Sequence, residues 1–355
     1  MKRSPTKLLV ALALFSLVWG CATPSTKRVA VDDDLVQKEA KKQREIALKA
    51  QIAYQRRLMR VSYPILEASA PMCADDIRPS LGIVYVNRHS FAHDFQDVAV
   101  EVFGLGDRLQ IGQLIPGSSG EKVGLKEDDI LIRFNGQPVP TGEGAAKAFF
   151  AMTVAEMNAD RPVTISVLRQ NLLKELKVLP QDICIYPVVV GGGDEVNAYA
   201  DGKKVVVTRG MMRFAQRDQE LALVVAHELA HNTTHHIEAK TKNYLLGSLV
   251  DILAAADGIN TQGSFGKAAA MAYSQAFEAE ADYVGLYMMA RAGLKIENAA
   301  VFWRRMAAEH PGSIRRNYAA SHPATPERFV PIEKTVEEIK RKADAKLPLE
   351  PEYKK

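Results

Sequence analysis

The sequence predicts an α+β protein in which a mostly helical domain with a small sheet carries a second, β-rich domain. Three observations predict it. Short β-branched and aromatic runs, punctuated by turn residues, fill residues 80 to 180. The pattern shifts at Ile185 to a small strand set that includes Val188-Val189-Val190 and Val205-Val206-Val207-Thr208. After Gly210 the chain reads as helices to near Lys342, among them an apolar run from Leu221 to Ala226 that suits a buried helix.

A chain of 355 residues has room for two domains. Its formal charge of +4 is small for that length and gives no support for nucleic acid as a partner. Lys2, Arg3 and Lys7 precede an apolar run from Leu8 to Trp19, so residues 1–20 read as a signal peptide. Val18-Trp19-Gly20-Cys21 resembles a bacterial lipobox, which implies lipid on Cys21 and a membrane contact through that anchor alone. Ala22 carries no inner-membrane retention signal, so the resemblance implies the periplasm and the outer membrane. Residues 21–30 read as a tether. Residues 31–70 read as a helix opening at Asp32-Asp33-Asp34 and lying against a later domain. Ile46, Ala50, Ala53 and Tyr54 are its candidate apolar face, and Pro64 should end or kink it. Cys73 and Cys184 remain as an even pair, which in an exported chain suggests a disulfide; two buried thiols are the alternative.

Within 73–184, strand-like runs lie at Ile83–Val86, Leu109–Ile111, Ile130–Phe134 and Val163–Val167, with turns at Pro116-Gly117 and Asn135-Gly136. Ile115-Pro-Gly-Ser-Ser-Gly-Glu-Lys-Val-Gly-Leu125, followed by Asp128-Asp129-Ile130 and Asn135-Gly-Gln-Pro-Val139, resembles a bacterial PDZ domain. Asp128 stands where that family commonly has glycine. The resemblance implies peptide C-termini as partners, held as an added strand. Leu81-Gly82-Ile83 is the candidate carboxylate loop, and Gly104-Leu105-Gly106 competes with it. A module that only braces the fold is the alternative. A Cys73–Cys184 bridge would close the neck of this insertion.

The chemistry lies in His227-Glu228-Leu-Ala-His231. Residues four apart share a helix face, so both imidazoles can reach one zinc ion. Glu228 is rotated by about 100° and sits beside the metal, where a general base for attacking water belongs. Asp218 is the candidate N-cap of this helix. A third ligand is required, and Ser274-Gln-Ala-Phe-Glu278-Ala-Glu280-Ala-Asp282 offers one. Glu278 and Asp282 share a face; Glu280 points elsewhere. One carboxylate can bind metal while the other fixes a histidine tautomer.

His227-Glu-x-x-His231 with Glu278-x-x-x-Asp282, together with Asn197-Ala-Tyr-Ala and Val207-Thr-Arg-Gly-Met211, resembles the HtpX-type and CAAX-prenyl-protease family of zinc metallopeptidases over about residues 185–335. The resemblance implies a zincin-type fold and one Zn2+ per chain, with Glu278 as third ligand and Asp282 behind it. It implies that Asn197, Ala198, Tyr199 and Ala200 form an edge strand for substrate. No long apolar stretch follows residue 20, so the chain resembles the soluble periplasmic branch, where PDZ-bearing lipoproteins occur. Ser321-His322-Pro323 with Arg328 matches a late motif and makes His322 a candidate to stabilise the oxyanion or to brake the site. His235 and His236 read as surface residues, and 336–355 as a charged, loosely ordered tail. The expected activity is a zinc endopeptidase acting on extended or misfolded envelope proteins. A chaperone-like binding factor with a latent zinc site is the alternative, and a cell-wall amidase a third reading.

Overall fold

The computed structural model describes residues 25–256, 259–272, 274–309 and 326–353. The chain divides into two units, up to Arg44 and from Glu45 on. In the first unit Asp32 opens helix α1 (Asp33–Ala68), its Oδ1 accepting the Asp34 N–H at 2.8 Å. In the second unit this helix buries Leu48, Leu58, Val61, Tyr63, Ile65 and Leu66, while Ile46 is exposed. Of the expected face, Tyr54 packs partly buried on the main core, whereas Ile46, Ala50 and Ala53 are exposed. Pro64 lies inside α1, which runs one further turn to Ala68. A buried Ile65 and Leu66 hold that turn against the cost of the missing N–H.

Strands β1 (Ile77–Ser80), β2 (Ile83–Val86), helix α2 (Gln96–Phe103), β3 (Gln110–Leu114), β4 (Ile130–Phe134), β5 (Gln137–Pro138), helix α3 (Ala145–Glu156), β6 (Val163–Arg169), β7 (Leu172–Val178) and β8 (Gln181–Cys184) follow. An antiparallel sheet runs β2-β3-β4-β6-β7, with β5 beside β4. Its core is Leu109, Ile111, Leu131, Phe134, Phe149 and Ile165 with their neighbours. Asn135 and Gly136 both take positive φ, 48° and 81°, as a two-residue hairpin turn requires. Asp128 sits at φ 67°, the left-handed conformation that glycine favours and aspartate tolerates.

Both ends of this β-rich segment meet. Strands β1 and β8 pair antiparallel, with Ile77 opposite Cys184. Cys73 and Cys184 form a disulfide with a Cα–Cα distance of 5.8 Å. The neck joins the main core, which buries Cys73, Ile183, Cys184 and Tyr186 together with Leu58, Ile65 and Leu66 of α1.

Beyond it, β9 (Val188–Gly191), β10 (Ala198–Ala200) and β11 (Val205–Thr208) form a sheet of order β10-β11-β9. Helices α4 (Arg209–Phe214), α5 (Asp218–Thr233), α6 (His236–Ala256), α7 (Ser264–Ala272), α8 (Ser274–Arg291), α9 (Ala299–Glu309) and α10 (Pro326–Asp344) complete the described chain. Helix α8 crosses α5 closely. A Cβ on Gly285 would lie 3.0 Å from the Ala226 carbonyl and 3.1 Å from the His227 nitrogen. The C-terminal residues are not a loose tail. Ile339 is buried on α10, Leu349 packs on the main core, and the Glu352 N–H donates to the Tyr283 hydroxyl at 3.1 Å. Apolar burial under a charged outer face fixes them. Among the described residues, no helix is long and apolar enough to cross a membrane.

Candidate metal centre

Helix α5 is buried from Glu220 through Asn232. Its N-cap is Arg217 rather than Asp218, and Glu220, three residues on, accepts the Arg217 N–H at 3.3 Å. Asp218 instead holds Arg57 and Arg60 of α1 at 2.8 and 3.2 Å. Arg57 also donates to the carbonyls of Met212 and Ala215, just before the helix. The helix is thus anchored where the chain enters it.

One turn of α5 and one of α8 bring His227, His231 and Glu278 together, all buried, with donor atoms within 4.8 Å of one another. The two Nε2 atoms are 3.2 Å apart. Glu278 approaches His227 Nε2 at 3.3 Å and His231 Nε2 at 3.4 Å. A tetrahedral zinc with bonds of about 2.0–2.1 Å places its ligand atoms about 3.3 Å apart. The two imidazoles are therefore spaced for one ion, and Glu278 faces them with both oxygens, Oε2 toward His227 and Oε1 toward His231.

Each histidine has its other nitrogen engaged. His227 Nδ1 meets Asp282 Oδ1 at 2.9 Å. Asp282 is clamped by Arg328 through Nε at 2.5 Å and Nη2 at 2.8 Å. The Arg328 guanidinium lies 4.5 Å from the Trp303 ring centre, and that ring lies 5.1 Å from the His227 ring. His231 Nδ1 meets His236 Nδ1 at 2.9 Å, and His236 Nε2 meets Glu280 at 3.0 Å. His236 is thus buried under a ligand, not on the surface, and Glu280 faces His236. With His231 Nε2 turned to a metal, its Nδ1–H donates to His236, whose Nε2–H donates to Glu280. Sequence reasoning found neither this chain nor Trp303.

Burial opposes charge on His227, but hydrogen bonds and charge from Asp282 and Glu278 outweigh it and raise its pKa to about 9. Burial lowers His231 to about 4, helped by the neighbouring His227 charge. Burial also opposes ionisation of Asp282, yet Arg328 holds it low. Among the described residues, Glu228, Glu278 and Asp282 set three buried carboxylates against the buried Arg328. Excess negative charge around two imidazoles is what a divalent cation balances. The donors fit such an ion in type, number and spacing.

Replacing His236 with alanine is expected to weaken metal affinity about 10–100-fold, because His231 loses the acceptor that fixes its tautomer. Competition against a chromophoric chelator measures this. Unchanged affinity would leave His236 as packing alone.

Strand β10 takes Ala198, Tyr199 and Ala200 but not Asn197, whose backbone N–H and C=O are tied to Thr208. Among the described residues it pairs only with β11, and it packs against α5. Leu81-Gly82-Ile83 opens β2 at the edge of the large sheet. The Gly82 N–H donates to Ser80 Oγ at 3.2 Å, which also accepts from Tyr63 of α1 at 3.2 Å. A cavity of about 320 Å³ lies there, bounded by β2, α3, α1 and β9. Gly104 ends α2 in a left-handed turn and Leu105 is buried beside Leu48. His322, with Ser321 and Pro323, lies outside the described residues, as does Cys21.

Crossed helices presenting two histidines and a buried glutamate around a base-bearing turn define a metallopeptidase-type centre. Residues 168–336 match peptidase family M48. The chain is 32% identical over 151 residues to the mitochondrial metalloendopeptidase OMA1 of Schizosaccharomyces pombe, covering 40% of this chain and 44% of that protein. It is 31% identical over 137 residues to the Saccharomyces cerevisiae OMA1, covering 36% and 39%. It is 26% identical over 129 residues to the beta-barrel assembly-enhancing protease of Yersinia pestis, covering 32% and 26%. The chain thus spans less than half the length of these relatives. The HtrA3 PDZ domain bound to a phage-derived ligand matches with 16% identity and a TM-score of 0.24, over 30% of this chain and 89% of that one. The sequence matches support a metallopeptidase of family M48, at moderate identity.

Proposed function

We propose that this chain is a zinc-dependent endopeptidase of extended or misfolded envelope proteins. The preformed triangle of His227, His231 and Glu278 is the observation that carries the reading. Its likeness to the HtpX-type and CAAX-prenyl-protease group rests on the motif residues. When bound, zinc would acidify water and polarise the scissile carbonyl. Glu228 takes the proton of the attacking water and returns it to the leaving amine. Asp282, held by Arg328, and His236, held by Glu280, keep the two imidazoles oriented. Substrate lies extended along the free edge of β10, Ala198 to Ala200, which selects unfolded chains over compact ones. His322 is a candidate to stabilise the oxyanion or to brake the site.

The lipobox-like Cys21 supports a periplasmic chain anchored by lipid to the outer membrane. The β-rich module recognises peptide C-termini at Leu81-Gly82-Ile83 or gates the site. One observation favours a bracing role for it: Ser80 Oγ already accepts from the Gly82 amide and is itself held by the Tyr63 hydroxyl.

The purified chain is expected to carry one zinc and to cleave a reduced, unfolded protein. A strong chelator should abolish cleavage, and zinc should restore it. A folded chain that neither holds zinc nor takes it up sinks the proposal.

A further inference from the structure

Among the described residues, helices α6 and α7 pack mainly on each other. Gly247 of α6 lies against the Phe265 carbonyl and Ala269, and Gly266 of α7 lies against Tyr244 and Ser248. From Asn243 to Ala256 the only charged residue is Asp251. It faces α7, where its carboxylate accepts from Thr261 Oγ1 and from the backbone N–H groups of Phe265 at 3.2 Å and Gly266 at 2.8 Å. At about 100° per residue, the side of α6 away from Asp251 carries Leu245, Leu246, Leu249 and Leu253, with Val250 and Ile252 on its flanks. Each of the six is between 45% and 68% exposed. A contiguous aliphatic stripe of this kind marks a docking surface.

We propose that this stripe seats α6 in the interface of a bilayer containing anionic lipid. Three observations favour lipid over protein. The stripe is purely aliphatic and carries no arginine, whereas protein interfaces rely on aromatic and arginine anchors and under-use leucine and valine. The stretch of 14 residues from 243 to 256 spans about 21 Å, enough to lie along a leaflet surface but too short to cross it. Lys240 and Lys242 precede the stripe and Lys267 follows the turn; of the acidic residues nearby, Glu238 stands a turn further from the stripe, Asp251 is turned inward and Asp257 lies outside the described residues. Buried aliphatics flanked by lysines are the pattern of an interfacial helix on an anionic surface. His236, the first residue of α6, touches the ligand His231, so the docked helix holds the metal centre at the membrane surface. The inference rests on the helix pair alone and stands or falls apart from the peptidase reading.

The test uses the full chain with Cys21→Ser, which cannot be lipidated there. A single cysteine is introduced at Leu249, or at exposed Lys147 of α3 as control, and labelled with an environment-sensitive fluorophore. The probe is vesicles of phosphatidylethanolamine with phosphatidylglycerol. The label at 249 should shift to the blue and be quenched by a lipid-borne quencher, while that at 147 stays unchanged. Adding Leu246→Ser and Leu253→Ser, both exposed and so compatible with folding, should lower the bound fraction at least tenfold, about a kilocalorie-scale loss per side chain being expected from apolar transfer. No shift at 249 overturns the proposal. So does a shift that needs no vesicles and grows with protein concentration, which would identify a second copy as the occupant. Equal binding to phosphatidylcholine vesicles overturns the anionic requirement.

Discussion

Glu228→Gln should lower the turnover of an unfolded protein substrate by about three to four orders of magnitude while zinc content stays at one per chain. The amide keeps the size and burial of the glutamate but cannot accept the water's proton. His227, His231 and Glu278 remain in place, so the loss separates proton transfer from metal binding. Zinc analysis and single-turnover hydrolysis on the same preparation check both halves. The variant should also retain uncleaved chains, which mass spectrometry of the bound fraction would identify. Full restoration of function by this variant in a deletion strain would instead favour a binding factor with a latent site.

Replacing Cys73 and Cys184 together by serine should cost about 4–5 kcal/mol in stability, the second large effect. The bridge closes a loop with a sequence separation of 111, and the chain-entropy penalty it removes from the unfolded state is of that order. Strand pairing of β1 with β8 continues to hold the neck in the variant, so the folded structure should survive at low temperature. Denaturant unfolding of the oxidised, reduced and double-serine chains would measure the difference. A change below about 1 kcal/mol would mean that the β1–β8 ladder and the core packing around the neck set the stability alone.

The candidate metal ligands were readable because a helix converts spacing into geometry. His227 and His231 are four apart, and so are Glu278 and Asp282, and each pair shares a face. His236 follows a different rule. His235 takes a φ of 54°, which reverses the chain and returns the next side chain beneath His231. No periodicity announces such a turn. Trp303 carries no local signal in the sequence, and only the packing of α9 against α5 gives it the His227 ring to meet. Strand β7 escaped notice because it is an edge strand, mostly solvated, entered through Gln170-Asn171 rather than a glycine turn. The β-branched runs and Asn135-Gly136 were legible because they state their conformations locally.

The gauge of the α5–α8 crossing is a hydrogen atom. Where α8 crosses α5, Gly285 faces the Ala226 carbonyl with no room for a methyl group, one residue before the first ligand. Any larger side chain there acts as a wedge, opening the two helices like a caliper until their donors cannot grip one small ion together. Position 285 must therefore stay small, although it lies outside the candidate ligand set.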